Sequence, residues 1–302
     1  MKISPLLYGM FLVVTGSSIA EAQDSSAAKP AAVLQVTREY LKPGKSGLAH
    51  DKTEAGFVSL MNRAKLQGHY VALNSMSGKS RALYITLYSS FAAWDADNKI
   101  VNSDPALASE YDRVAGADGE LLDSLDQLLF SYDEDLSFHP NADLSHARYV
   151  EINIFHVRPG HRKDWYDVTR SWKQTNEKAG TSAHWAAYEI AFGEEGGTYI
   201  SLTSHKSLAD VDTEIADSKK IMGAVGGAEG MRKLDEAFWQ AVDSSHSELF
   251  TINPRQSYPD ERWINGDPGF WKPQTAGQAA TDAAGSSTAA STAQSPTKPV
   301  SR

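Results

Sequence analysis

The chain has 302 residues, with 38 Asp and Glu against 29 Lys and Arg, a formal net charge of −9 and no cysteine. The scattered acidic surplus argues against a nucleic-acid binder, which needs a basic stripe, and the missing cysteine excludes a disulfide framework or a lipid-modified terminal Cys. Charged residues at 22% and hydrophobic residues at 41% make a globular balance, and the length suffices for two units around a shared core.

The N-terminus has the order of an export signal. Lys2 is a short basic region, Leu6 to Val14 an apolar run too short to span a bilayer, and Ala20-Glu21-Ala22 a small-residue cleavage site. Residues 1–22 are expected to be removed on export to the periplasm or the medium, with no further membrane span. An exported chain without disulfides must be held by its own core. Residues 23–31 read as a disordered linker.

A first unit is expected over 32–140. It opens with a strand, Val33 to Leu41, and Pro43-Gly44 suits a type II turn. Phe57, Leu60, Met61 and Ala64 then form the apolar stripe of a helix that exits near Gly68. Strands Tyr70 to Met76 and Arg81 to Ser89 flank the turn Ser77-Gly78-Lys79-Ser80. A helical region to about Phe130 and a closing strand, Asp135 to His139, complete the unit. Asp133-Glu134-Asp135 reads as a solvated turn.

The second unit, 141–254, repeats this order. Its opening strand is Tyr149 to Val157, followed by Pro159-Gly160 and a helix from Arg162 to Lys178 that ends at Gly180. Trp165, Val168, Trp172 and Thr175 recur there at helical spacing. The strands His184 to Phe192 and Thr198 to Ser204 flank a glycine-rich hairpin loop. A helical region to about Val242, with Gly226 to Gly230 as a loop before a helix, leads to a last strand, Glu248 to Asn253. Residues 255–272 are aromatic and turn-rich and are expected to pack against the barrel. Residues 273–302 hold almost no large apolar side chain and are expected to be disordered.

The correspondence extends to residues. Arg38 to Lys45 returns as Ile154 to His161, Gly68 to Ala72 as Ala183 to Ala187, Tyr84 to Leu87 as Tyr199 to Leu202, and Val114 to Gly119 as Val225 to Gly230. Such self-similarity constrains architecture more than local propensity does. The order β-α-β-β-α-β, twice, predicts an α+β fold of two tandem ferredoxin-like units. Each sheet leaves one face bare of helices, so the two units are expected to cover each other and close a pseudo-dimeric α/β barrel.

The segment Arg38-Glu39-Tyr40-Leu41-Lys42-Pro43-Gly44-Lys45, a strand running into Pro-Gly-Lys and an amphipathic helix, resembles the NIPSNAP-like and antibiotic-biosynthesis-monooxygenase-like groups of the dimeric α/β-barrel superfamily. The second unit keeps Pro159-Gly160 but has Ile154 and His156 where Arg and Tyr would stand. The resemblance implies a pocket between sheet and helices. It also implies company that includes cofactor-free oxygenases, haem-handling proteins and proteins without known activity. No catalytic residue carries over, because the shared motif is structural.

Candidate site residues come from the repeat itself. His69 and His184 recur at the start of the second strand of each unit, each followed by an aromatic. A hairpin symmetric about its loop places His184 opposite His205, a two-imidazole arrangement that lacks a nameable third ligand and assigns no metal. A histidine packed at a strand end is the simpler alternative. His156, Arg158, His161 and Arg162 surround a helix start, where an anion-holding mouth competes with a solvated basic rim. Trp165, Trp185 and Tyr188, with Trp172 and Tyr199, are either core or the lining of a flat apolar pocket. There is no G-x-S-x-G, H-E-x-x-H or phosphate-loop pattern.

These readings give an exported barrel that binds a small apolar or aromatic molecule in its second unit. The alternative is a cofactor-independent monooxygenase or haem-handling enzyme using His184 or His156, and a third reading is a self-associating structural barrel. The cofactor is left open, and a homo-oligomer is compatible with all three.

Overall fold

The computed structural model describes residues 29–272. The expected signal segment 1–22, most of the linker 23–31 and the tail 273–302 lie outside the described residues. Among the described residues no helix is long and apolar enough to cross a membrane.

The first unit comprises β1 (Val33–Leu41), α1 (Leu48–Ala64), β2 (His69–Ser75), β3 (Arg81–Tyr88), α2 (Phe91–Ser103), α3 (Pro105–Gly119) and β4 (Leu122–Phe138). The second comprises β5 (Tyr149–Val157), α4 (Arg162–Ala179), β6 (Trp185–Phe192), β7 (Thr198–His205), α5 (Leu208–Val225), α6 (Gly227–Ala241) and β8 (Val242–Ile252). Two short helices follow, α7 (Glu261–Gly266) and α8 (Pro268–Trp271).

Each unit has the ferredoxin-like strand order, β4-β1-β3-β2 and β8-β5-β7-β6, and the two sheets close into one antiparallel barrel through β2–β8 and β4–β6. Closure leaves neither sheet an open edge. Alternation sends Leu34, Val36, Leu83, Ile85, Leu128, Phe130, Val150, Ile152, Phe250 and Ile252 into a shared core. The intervening residues face the helices. Gly44 (φ 75°) and Gly160 (φ 84°) occupy the left-handed position that a type II turn requires between first strand and first helix.

The barrel's two ends differ. At one, Trp263 of α7 and Trp271 of α8 join the core. At the other, the inward strand faces turn polar: Arg38 pairs with Asp126 at 2.6 Å, Arg81 pairs with Glu248, and Tyr40 lies 5.7 Å from the Arg81 guanidinium.

Several expectations are corrected. The stretch before Phe130 is strand, because β4 starts at Leu122 and pairs first with β1 and then with β6. Likewise β8 starts at Val242 rather than Glu248. Asp133-Glu134-Asp135 is an irregularity within β4, with Asp133 accepting bonds from Leu136 N–H and the Tyr166 hydroxyl. The helix of the first unit is capped by Lys65 in the left-handed region, ahead of Gly68.

Two sequence correspondences also shift. Val114 to Gly119 lies at the end of α3, whereas Val225 to Gly230 spans the α5/α6 junction, so these segments are not equivalent in space. Thr37 of β1 pairs with Tyr84, and the matching Asn153 of β5 pairs with Ser201, so Tyr84 corresponds to Ser201 rather than to Tyr199.

Candidate functional site

Each unit encloses a space between the outer face of its sheet and its helices. The space in the second unit is aromatic. Trp165 and Trp172 of α4, Phe155 of β5, Trp185 of β6, Tyr199 of β7 and Phe238 of α6 line a cavity of about 390 Å3. The helix stripe read from Trp165, Val168 and Trp172 positions the α4 residues, and period-two alternation positions the strand residues.

Asn153, Thr169, Ser201, Thr203 and Asp235 are the polar residues on the wall of this cavity. Trp185 Nε1 donates to Leu136 O at 2.8 Å, and Tyr199 OH donates to Glu189 Oε1 at 2.9 Å. Burial, with Glu189 as the next cause, pushes the Tyr199 phenol pKa up. Trp165 Nε1 is buried and has no hydrogen-bond partner. A buried donor left unpaired costs about 1–3 kcal/mol, so it marks a place where an acceptor would be favoured.

The first unit holds a larger space, about 690 Å3, with a different character. At its wall Glu39 of β1, Glu54 of α1 and Asp118 of α3 converge on His50 of α1, which lies behind the lining, and all four are buried. His50 Nε2 lies 3.0 Å from Glu39 Oε2, 3.6 Å from Asp118 Oδ1 and 3.8 Å from Glu54 Oε1. Thr53 donates to Asp118 at 2.6 Å, and Gln256 Nε2 lies 3.3 Å from His50 Nδ1. Glu54 Oε1 and the Tyr70 hydroxyl are buried without partners. Desolvation raises the Glu54 pKa well above the ordinary value, and the neighbouring Glu39 and Asp118 charges raise it further. Desolvation also raises Glu39, against the pull of His50.

The two spaces occupy matching places. Glu39 and Phe155 stand the same number of residues before the strand ends that pair with Leu122 and Val242. His50 and Glu54 precede the left-handed cap Lys65 by the same intervals at which Trp165 and Thr169 precede Gly180. Where the first unit has Glu39, His50 and Glu54, the second has Phe155, Trp165 and Thr169, although rings such as Tyr84 and Trp94 also line the first space.

The residues singled out by sequence are distributed over several separate places. Trp165 and Trp185 share the aromatic cavity. Tyr188 points the other way, into the barrel, 5.4 Å from the Tyr132 ring and against a separate cavity at the barrel end. His184 and His205 border a polar recess with Asp210 and Glu214, away from the tryptophans. They do not oppose each other. The β6–β7 register pairs Ala186 with Leu202, one residue off the expected symmetry, and His184 instead approaches Ser204 O at 3.0 Å. A one-residue slip exchanges faces, so the two-imidazole arrangement is not formed.

His205 sits between carboxylates, 3.7 Å from Glu151 and 3.9 Å from Glu214, both ring nitrogens lacking hydrogen bonds. His69 stacks on Tyr258 at 4.5 Å and lines neither sheet–helix space. His156 Nδ1 lies 3.2 Å from Thr198 Oγ1 on the barrel's inward face. The basic groups around Pro159-Gly160 are paired: Arg158 with Asp243 at 2.8 Å, His161 with Asp164 at 2.8 Å, and Arg162 with Glu189.

The residues missed by sequence reasoning are Glu39, His50, Glu54 and Asp118. The available signal was His50 and Glu54 one helical turn apart on the helix after the first Pro-Gly turn.

No protein-family model and no curated protein matches the chain. Among solved structures, it is similar to an anthrone oxidase-like protein at 12% identity and TM-score 0.51, covering 76% of this chain and 95% of that one. A chlorite dismutase from Candidatus Nitrospira defluvii has 8% identity and TM-score 0.45, covering 79% and 96%. At such identities the likeness concerns the fold alone. The chain is an α+β protein with the ferredoxin-like, dimeric α/β-barrel fold, both halves supplied by one polypeptide.

Proposed function

We propose that this is an exported binding protein that holds a flat apolar or aromatic molecule in the cavity of its second unit. The observation that carries the reading is Trp165: its ring walls an aromatic cavity of about 390 Å3 while its Nε1–H is buried without an acceptor. A flat ligand offers stacking area, and one bearing a carbonyl oxygen would also supply the missing acceptor once a small turn of the Trp165 ring brings its Nε1–H to the cavity. Export is supported by Lys2, the apolar run Leu6 to Val14 and Ala20-Glu21-Ala22. The resemblance of Arg38 to Lys45 to NIPSNAP-like and monooxygenase-like groups supports a sheet–helix pocket as the working part of the fold.

The enzymatic alternatives draw less support from the residues. No histidine, cysteine or methionine is among those lining the aromatic cavity, so haem finds no axial ligand of those types there. A cofactor-free oxygenase needs a poised base, and the lining carboxylate, Asp235, is exposed.

The test is titration of the purified protein with 1,4-naphthoquinone and with naphthalene, following tryptophan fluorescence. Saturable one-to-one quenching is expected, tighter for the quinone. Trp165→Phe should weaken quinone binding about tenfold, the worth of roughly one hydrogen bond, and leave naphthalene binding nearly unchanged. Absence of saturable quenching, or a Trp165→Phe protein that binds the quinone as well as the parent, would overturn the reading.

A further inference from the structure

We infer that the first unit carries a cation site: Glu39, His50, Glu54 and Asp118 together bind one divalent first-row transition ion. Their ligand atoms, one imidazole nitrogen and three carboxylate oxygens, all lie within 4.8 Å of one another, and all four residues are buried. Separations of 3.0 to 3.8 Å from His50 Nε2 to the three carboxylates match the edges of a coordination polyhedron with bonds of about 2.0–2.2 Å.

Charge balance points the same way. Three carboxylates meet one imidazole at most singly positive, and among the described residues no Lys or Arg forms an ion pair with any of them. With all three carboxylates ionised and no ion bound, such a cluster would cost several kcal/mol per uncompensated charge. A dication bound by three carboxylates and a neutral imidazole leaves a single net negative charge.

An independent sign comes from groups that lack partners. Glu54 Oε1 is buried with nothing to accept from, and the Tyr70 hydroxyl, also buried, is unpartnered on the same cavity wall. Native interiors rarely leave such atoms unpaired unless an unseen ion or water completes them. The donor set is mixed. Carboxylates favour Mn2+, an imidazole extends the range to Fe2+ and Zn2+, and no thiolate is present to select a softer ion.

Neighbouring residues hold two of the four ligands from outside the cluster. Thr53 ties Asp118 to the first turn of α1, bonding both Asp118 and His50 O. Gln256, from the segment after β8, sits against His50 Nδ1 and also donates to Asp51 at 2.9 Å. As the groups stand, Nδ1 accepts from this amide and Nε2–H donates to Glu39; binding through Nε2 moves the imidazole proton to Nδ1 and requires the amide to present Oε1, now buried without a partner, to that nitrogen. The site stands on the first unit and is independent of ligand binding in the second.

The experiment is metal analysis of the purified full-length protein after chelator treatment and desalting, then reconstitution with Mn2+ or Zn2+ alone. One equivalent per chain is expected, with a melting temperature raised by several degrees in excess metal. Glu54→Gln keeps the shape, removes a charged ligand, and should weaken metal binding at least tenfold while the metal-free protein still melts cooperatively. Trp165→Phe, in the other unit, should bind metal like the parent. A parent protein retaining less than about a tenth of an equivalent overturns the inference. So does a Glu54→Gln protein that still takes up one equivalent with parental affinity, which would place the ion elsewhere, such as at Glu151, His205 and Glu214.

Discussion

At the scale of single residues, two histidines show how little a residue type says without its register. Hairpin symmetry sets His205 opposite His184, and the actual register gives it Glu151 and Glu214 instead. Burial alone would lower its pKa. Glu151, Glu214 and Asp210 outweigh that and hold it above the ordinary value. The folded pKa is therefore higher than the unfolded one, and the folded state binds more protons between the two. The stability that His205 contributes is fully present below about pH 6.5 and is lost as pH rises through the folded pKa. His205→Gln should flatten this part of the profile. The check is the melting temperature of both proteins from pH 5.5 to 9, and an unchanged slope in the variant would refute the assignment. The cluster around His50 was legible only in half: the helix spacing of His50 and Glu54 is in the sequence, but Glu39 and Asp118 arrive from a strand and a helix that only tertiary packing brings near.

At the scale of elements, local pattern gave strand and helix order well and failed where one segment serves two partners. Leu122, Leu125, Leu128 and Leu129 are spaced as on a helix, yet they belong to β4, whose inward Leu128 and Phe130 fill the barrel. The pairing that decides this, with β1 on one side and β6 on the other, is non-local. A similar dependence holds the turn into β2. Asp97 of α2, itself buried, accepts from the N–H groups of Gln67 (3.0 Å) and Gly68 (2.8 Å). Gly68 has no room for a side chain, since a Cβ there would lie 2.5 Å from the Tyr88 ring. Asp97→Ala strands two donors, one of them buried, and should cost about 2–4 kcal/mol in urea unfolding. Asp97→Asn, which retains an acceptor, should cost less than half of that. Equal losses in the two variants would mean that the carboxylate's charge, rather than its acceptor geometry, holds the turn.

At the scale of the whole molecule, the duplicated order predicted the barrel because two half-covered sheets have few other ways to bury their bare faces. It did not predict that the two seams differ. β4–β6 runs from Leu129 to Phe138, whereas β2–β8 joins only Leu73, Asn74 and Ser75 to Ile252, Thr251 and Phe250. Opening should start at the shorter seam. The amide of Met76, bonded to Leu249 O across it, is expected to exchange with solvent well before the amides that join β4 to β6. The segment after β8 offsets this weakness from the barrel end. Trp263 and Trp271 are each 1% exposed with rings 5.3 Å apart, and Trp271 Nε1 donates to Ser145 O at 2.8 Å. Arg148, ahead of β5, pairs with Asp267 and lies 3.9 Å from the Phe270 ring. The segment thus joins the core of both units to the chain that links them. Trp263→Ala should cost about 3–5 kcal/mol, the range for deleting a buried large aromatic. Because the two rings touch, the double variant with Trp271→Ala should cost less than the two single losses together. The dependence on urea separates two ways of losing the segment. An unchanged slope means that the barrel stays whole with a vacancy at its end, and a smaller slope means that this end has frayed before unfolding begins. A loss below about 1 kcal/mol would show the segment to be an ornament on a barrel that closes without it.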